Sequence, residues 1–311
     1  MSPAYHRVLL VFVDGVGLDR AGSSNPLSEC DSPHLRELLG GSMTSEQIQS
    51  SAGLLLQPLD AVLGVEGLPQ SATGQTALFS GVNAPTELGR HVTGFPGPRL
   101  KSILDESNLF EGASSRGWRV TFANAYGQSY LDEVLAGGRR ISVTTYCMLR
   151  AALRFRGVGD LRRGRAVTWD VCRDLYGARS GVELDAVAPH RAGLHLADIA
   201  NDHDLTIYET FYSDLAGHGR PEADRCEAVR RIDGLVGGAL QGLDDDVSLV
   251  LTSDHGNLER SDVRAHTSNL VPLLVCGAAA SVFAAGSSLT DVSPTIMRLL
   301  AGEVVAGGTG A

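Results

Sequence analysis

Apolar residues along the chain come mostly in short runs with little alternation. Residues 7–13, Arg119–Ala123, Leu205–Phe211, Val247–Thr252 and Val271–Val275 each read as a strand covered on both faces. Between them the spacing changes to three and four. Ala223, Cys226, Val229, Ile232 and Val236 predict a helix over Pro221–Leu240, and Leu100–Arg116 has the same amphipathic pattern. Ser32 and Pro33 open a short helix over His34–Leu39. Ala77–Gly81 continues as helix from a turn around Gly74, and Ser293-Pro294 opens a last helix ending near Gly302. Strands alternating with helices predict an α/β fold, a three-layer α/β/α sandwich around a mostly parallel sheet.

The stretch 127–192 breaks this rhythm. Its strand signals are weak, and Arg139, Arg140, Arg150, Arg154, Arg156, Arg162, Arg163 and Arg165 crowd it. It predicts a small, mainly helical insertion over the sheet edge, with 1–126 and 193–311 forming the core.

Composition narrows the function classes. A net charge of -10 argues against a non-specific nucleic-acid binder. Nothing approaches the length of a membrane-spanning apolar segment, and the first apolar run ends in an Asp without a cleavage site. The expected compartment is the cytoplasm. The five cysteines are odd in number and none is close to another, so buried free thiols are expected.

Candidate chemistry gathers where predicted strands end. Val13 runs into Asp14-Gly15-Val16-Gly17. Leu205–Phe211 is followed by Asp214 and His218. Val247–Thr252 is followed by Asp254-His255-Gly256-Asn257, and His266-Thr267 precedes Val271. Ligands of open α/β sheets bind at the carboxyl ends of strands, so three carboxylates and three imidazoles converge on one edge as a metal site. Ser71-Ala72-Thr73-Gly74 adds hydroxyls before an apolar helix, where a hydroxyl is placed to attack phosphorus. Gly15-Val16-Gly17-Leu18-Asp19-Arg20 lacks the third glycine of a dinucleotide fingerprint, and there is no Gly-x-Ser-x-Gly elbow.

These motifs, in this order, resemble the alkaline phosphatase superfamily. The similarity is to the metalloenzyme branch that contains cofactor-independent phosphoglycerate mutase and phosphopentomutase. The resemblance implies two divalent metal ions, Zn²⁺ or Mn²⁺. One would be held by Asp14, Ser71, Asp254 and His255, the other by Asp214, His218 and His266. It implies Ser71 as the nucleophile, with Thr73 the alternative. The substrate would be a small phosphorylated metabolite, with Arg139 and Arg140 at its anionic end. The mutases carry a larger cap than the residues at 127–192 can build. That shortfall favours hydrolysis by water over phosphomutase chemistry, the alternative.

Overall fold

The computed structural model describes residues 6–303. Seven strands form one sheet: β1 (Arg7–Val13), β2 (Gln49–Ser50), β3 (Leu54–Leu59), β4 (Val120–Phe122), β5 (Leu205–Thr210), β6 (Val247–Thr252) and β7 (Val271–Cys276), in the order β2-β3-β7-β6-β1-β5-β4. The β6-β1-β5-β4 half is parallel, as the buried apolar runs predict. The β6–β7, β7–β3 and β3–β2 pairings are antiparallel, which the sequence pattern does not reveal.

Alternate residues of each strand feed opposite faces. Val8, Leu10 and Phe12 face one core, with the helices Ser71–Ser80, Pro98–Glu106 and Val292–Leu300. Leu9, Val11 and Val13 face the other, with Pro189–Ala200 and Arg225–Gly242. This is the three-layer sandwich expected. The last two helices touch along glycines. A Cβ on Gly193 would lie 2.2 Å from the Leu235 carbonyl oxygen, and one on Gly238 would lie 1.9 Å from that of His190. Larger residues there would push the pair apart.

Several helix boundaries differ from expectation, each for a local reason. Leu100–Arg116 is two helices, Pro98–Glu106 and Leu109–Ser114. Asn108 breaks it, because its side chain caps the second helix by accepting from the Glu111 N–H at 2.8 Å, a bond worth about 1 kcal/mol. The predicted helix from Pro221 starts at Arg225, where Asp224 accepts from the Glu227 N–H. The helix placed at Ala77–Gly81 begins at Ser71, and the last one opens at Val292.

In the stretch 127–192 the regular structure is helical, in the segments Gln128–Leu135, Val143–Arg150, Val158–Arg162 and Asp174–Ser180 and the first turn of Pro189–Ala200, and loops make up the rest. Val143, Cys147 and Met148 join one face of the main core, and Val167, Val171 and Cys172 the other. The segment is thus tied to both cores.

Cysteine usage also differs from expectation. Cys147, Cys172 and Cys276 are buried free thiols, but Cys30 and Cys226 form a disulfide with their Cα atoms 5.2 Å apart. They are 196 residues apart in sequence, too far for spacing to signal the pair. No helix among the described residues is long and apolar enough to cross a membrane. Alkylation in denaturant without reductant should label three thiols, and five after reduction. Reduction should lower unfolding stability by about 2–4 kcal/mol. Five labelled thiols before reduction would remove the bridge.

Candidate metal centre

The topology explains how distant residues meet. β1, β5 and β6 are parallel, so Asp14, Asp214 and Asp254 follow strand ends on one edge. His266 precedes β7, which runs the other way, so its entry lies on that same edge. β3 is antiparallel to β7 and therefore leaves the sheet there too, leading through residues 60–70 to Ser71.

Gly15 makes the closest approach possible. Its φ is +76°, and a Cβ would stand 2.9 Å from the Asp214 Cβ. The Asp14 N–H donates to the Thr210 carbonyl at 2.9 Å, and the Ser213 hydroxyl donates to the Asp14 carbonyl at 2.6 Å. Both bonds lock the β1 and β5 loops together.

The side chains form two adjoining groups. In the first, His255 Nε2 lies 3.1 Å from Ser71 Oγ, 3.3 Å from Asp14 Oδ1 and 3.7 Å from Asp254 Oδ2. Asp254 and His255 are fully buried. In the second, His218 Nε2 lies 3.3 Å from Asp214 Oδ1 and 3.1 Å from His266 Nε2, and His266 Nε2 lies 3.7 Å from Asp214 Oδ1. The His255 and His266 rings stack with centroids 3.7 Å apart, joining the groups. All seven residues singled out in the sequence thus meet at one place.

The donor and acceptor balance of this place calls for a cation. His218 Nδ1 faces the Arg264 carbonyl at 2.7 Å, and His266 Nδ1 faces that of Pro69 at 2.8 Å. Each Nδ1 therefore carries hydrogen and donates, which leaves both Nε2 lone pairs pointing at each other and at Asp214. Only a proton or a metal between them reconciles that contact. Asp14 Oδ1, Gln75 Oε1 and Asn257 Oδ1 are buried acceptors without a hydrogen-bond partner among the described residues. Asp14 Oδ1 is within ion-pair range of His255 but not in hydrogen-bond geometry. Three unmatched acceptors among carboxylates and imidazoles fit divalent cations. Two sets of ligand atoms lie within 4.8 Å of one another: Asp14, Asp254, His255, and Asp214, His255, His266.

Titration follows the same electrostatics. Burial, then the charges of Asp254 and Asp214, push Asp14 up to about 8. Burial also lifts Asp254, to about 6. Burial opposes a charge on His255, yet Asp254 and Asp14 raise it to about 10. Burial opposes the Asp214 charge as well, but the His218 hydrogen bond and the His255 charge hold it near 2. Burial and the His255 charge press His266 down to about 4. Without a cation, burial and carboxylate repulsion keep Asp14 protonated at neutral pH and attraction to Asp254 keeps His255 so, and a bound cation would displace those protons.

Sequence reasoning missed the groups that hold these ligands. Gln75, one helical turn after Ser71, donates from Nε2 to Asp14 Oδ2 and Asp254 Oδ2, both at 3.2 Å. Asn257 donates to Asp214 Oδ1 at 3.0 Å. Glu209, at the end of β5, is buried, accepts from the Thr144 hydroxyl at 2.7 Å, and is pushed up to about 7 by burial. Glu259 is fully buried and clamps three loops. Its Oε2 accepts from the Gly17 and Asn257 N–H groups, both at 2.8 Å. Its Oε1 accepts from the Thr267 hydroxyl and, at 3.0 Å, from Asn269 Nδ2. The i+4 spacing of Gln75 and the proximity of Glu259 to His255 were the available signals.

The arginine-rich stretch separates into two kinds. Arg154 and Arg163 bind Asp160, Arg150 binds Asp105 and Glu111, Arg165 binds Asp202, and Arg156 bonds Thr121. These are structural. Arg139 and Arg140 line a cavity of about 610 Å³ together with Ser71, Asp14, Gln75 and Asp214, and Arg139 also pairs with Glu133 at 2.7 Å. Arg179, not singled out in the sequence, lines the same cavity.

The Glu259 clamp is open to test. In Glu259→Gln either amide orientation turns an NH₂ toward two donors. Stability should fall by about 1–3 kcal/mol, with weaker metal retention, read by urea unfolding and metal titration. A variant with unchanged unfolding and metal uptake would remove the clamp.

Residues 192–303, which hold five of the seven converging residues, match the family model of the Metalloenzyme superfamily. Over 110 residues the chain is 34% identical to the 2,3-bisphosphoglycerate-independent phosphoglycerate mutase of Coxiella burnetii, and over 107 residues 35% identical to that of Ehrlichia ruminantium. Each match covers 32% of this chain but only 21% of the mutase. In fold the chain is similar to the PH0037 protein of Pyrococcus horikoshii, at TM-score 0.57 and 14% identity, covering 98% of this chain and 99% of that one. It is also similar to the alkaline phosphatase of the Antarctic bacterium TAB5, at TM-score 0.54 and 13% identity, covering 96% and 99%. Residues 192–303 thus match the Metalloenzyme superfamily, within a fold similar to that of an alkaline phosphatase.

Proposed function

We propose that this protein is a two-metal phosphoesterase that hydrolyses a small phosphorylated metabolite through a phosphoserine at Ser71. The observation that carries the reading is the set of buried, unmatched acceptors beside a hydroxyl that opens a helix and lines a cavity. In this reading Asp14, Ser71, Asp254 and His255 hold one ion and Asp214, His218 and His266 the other, as Zn²⁺ or Mn²⁺. Two such ions, when bound, neutralise a phosphate ester and stabilise its attacking and departing oxygens.

The chain's own residues supply the rest. Ser71 Oγ attacks phosphorus and loses its proton, the ester oxygen leaves and takes one up, and water then cleaves the phosphoserine. Gln75, donating to Asp14 and Asp254, keeps both carboxylates turned toward the Ser71 side. Thr73 is a poorer nucleophile by position. It is fully buried, its hydroxyl donates to the Gln70 carbonyl at 3.1 Å, and it accepts from the Val92 N–H at 3.2 Å. Arg139 and Arg140 line the substrate side of the cavity, where their planar donor forks suit acceptor groups of the bound ester.

Water as acceptor is supported by the roof. The stretch 127–192 is short and tied to both cores, so the phosphoserine has no large cap to seclude it. A phosphomutase is the second reading, favoured by the identity shared with the mutases over 110 residues.

Elemental analysis of protein prepared without chelator should approach two divalent ions per chain, and Asp214→Asn should lose about one. A folded protein that takes up no metal would end the two-metal reading. Ser71→Ala should keep the fold and most metal but lower turnover by at least about a thousandfold. Trapping with substrate should place phosphate on Ser71, and free phosphate should accumulate with turnover. An isomeric ester formed almost without free phosphate would install the mutase instead.

A further inference from the structure

The wall of the cavity differs in character from its acidic floor. Seven of the 23 residues lining it are aromatic, whereas aromatics make up 5% of the chain. Three of the rings carry an arginine over their faces: Arg140 over Phe95 at 4.8 Å, Arg139 over Tyr130 at 4.9 Å, and Arg179 over Trp169 at 4.7 Å. Trp169 also stacks on Phe211, with centroids 4.3 Å apart and planes 9° from parallel. Phe95 is 42% exposed, so this surface is not core.

Several hydroxyls of the wall are already engaged, whereas that of Tyr176 is buried without a partner among the described residues. Tyr126 and Tyr130 bond the Thr145 hydroxyl at 3.2 and 3.3 Å. Ser142 caps its helix by accepting from the Thr145 N–H at 3.2 Å. A leaving group rich in hydroxyls, such as a bare sugar or glycerol, would find few partners among them. What the wall still presents is ring faces and guanidinium planes. Arg140 has no carboxylate partner among the described residues, so its donors remain available. A guanidinium stacked on one ring has a second flat face and an outward edge of N–H donors.

Resting on the phosphoesterase reading, we propose that the leaving group carries a planar aromatic ring, and that nucleoside monophosphates are the substrate class. The ring would stack against the arginine and aromatic layers, while the phosphate lies over Ser71. The cavity's volume, about 610 Å³, accommodates a nucleotide and is far larger than a three-carbon phosphate requires. The guanidinium edges match the carbonyl and ring-nitrogen acceptors of a nucleobase.

The test is calorimetric binding to full-length Ser71→Ala loaded with Mn²⁺, so that no ligand is turned over. The ligands are adenosine monophosphate, ribose phosphate, phenyl phosphate and glycerol phosphate. Adenosine monophosphate should bind at least about tenfold tighter than ribose phosphate, as one base stack supplies. In Trp169→Leu and, independently, Arg140→Gln, that ratio should fall below about threefold. The ratio is internal to each variant, so a general loss of folded protein does not mimic the result. Phenyl phosphate gaining as much as the nucleotide would assign the site to aryl phosphates and overturn the nucleotide assignment. Equal affinity for adenosine monophosphate and ribose phosphate would overturn the aromatic leaving group while leaving the phosphoesterase standing. Failure of all four esters to bind, with no phosphate released from any of them by the unaltered protein, would overturn both.

Discussion

The centre is governed by one electrostatic constraint: three largely buried carboxylates are crowded together at the sheet edge. Burying a charge without a partner costs several kcal/mol, so such a group must gain a proton, a cation or strong donors. Here Asp214 is served by Asn257 and His218, while Asp14 and Asp254 share Gln75. Those donors are too few, and the surplus appears as unmatched acceptors and as an Asp14 carboxyl pushed far above its usual range. Much of the surrounding architecture holds this unfavourable arrangement together. The Glu259 clamp, the Ser213 bond to the Asp14 carbonyl and the bare Cα of Gly15 all force loops into contact that their charges oppose.

The same constraint explains why the site residues were legible in sequence while the path that unites them was not. Carboxylates and imidazoles just past apolar runs stand out, because a strand end is where the chain turns toward the ligand edge. An all-parallel sheet, however, would carry His266 to the opposite edge, since it stands before its strand and not after it. Reversal of β7 resolves this, and that reversal depends on pairing between β7 and β6 and between β7 and β3. Strand direction is a property of long-range pairing, and the hydrophobic pattern of Val271–Cys276 does not encode it.

Other gaps share a cause: a polar residue whose partner is distant or local in a way that composition hides. Asn108 within an amphipathic run looks like a tolerated helix residue until its side chain is seen to cap the next helix. Cys30 and Cys226 look like two of five buried thiols, because the chain between them returns only after passing through most of the sheet. Glu259 looks like an ordinary acidic residue beside Arg260. Four donors from Gly17, Asn257, Thr267 and Asn269 make it structural, and only one of those is a near neighbour in sequence. Asn257, by contrast, could be anticipated, since it sits in the same turn as His255.

Floor and wall of the cavity are built by different means, and this separates what each can specify. The floor comes from strand ends of the central sheet, whose residues are fixed by backbone pairing over the whole core. In the proposed reading the floor recognises a phosphoryl group and its cations and has little freedom to do more. The wall comes from loops and helices around 94–95, 126–145 and 169–180, joined to the cores by a few side chains each. Aromatic and arginine side chains there can change without altering any of the seven residues that converge at the floor. The short roof is packed into both cores through Val143, Cys147 and Met148 on one side and Val167, Val171 and Cys172 on the other, so it is part of the fold and not a separate cap. In the proposed reaction the ligand that fills the cavity would do most to limit access of water, so a bulky, flat leaving group would matter more here than under a large closing cap.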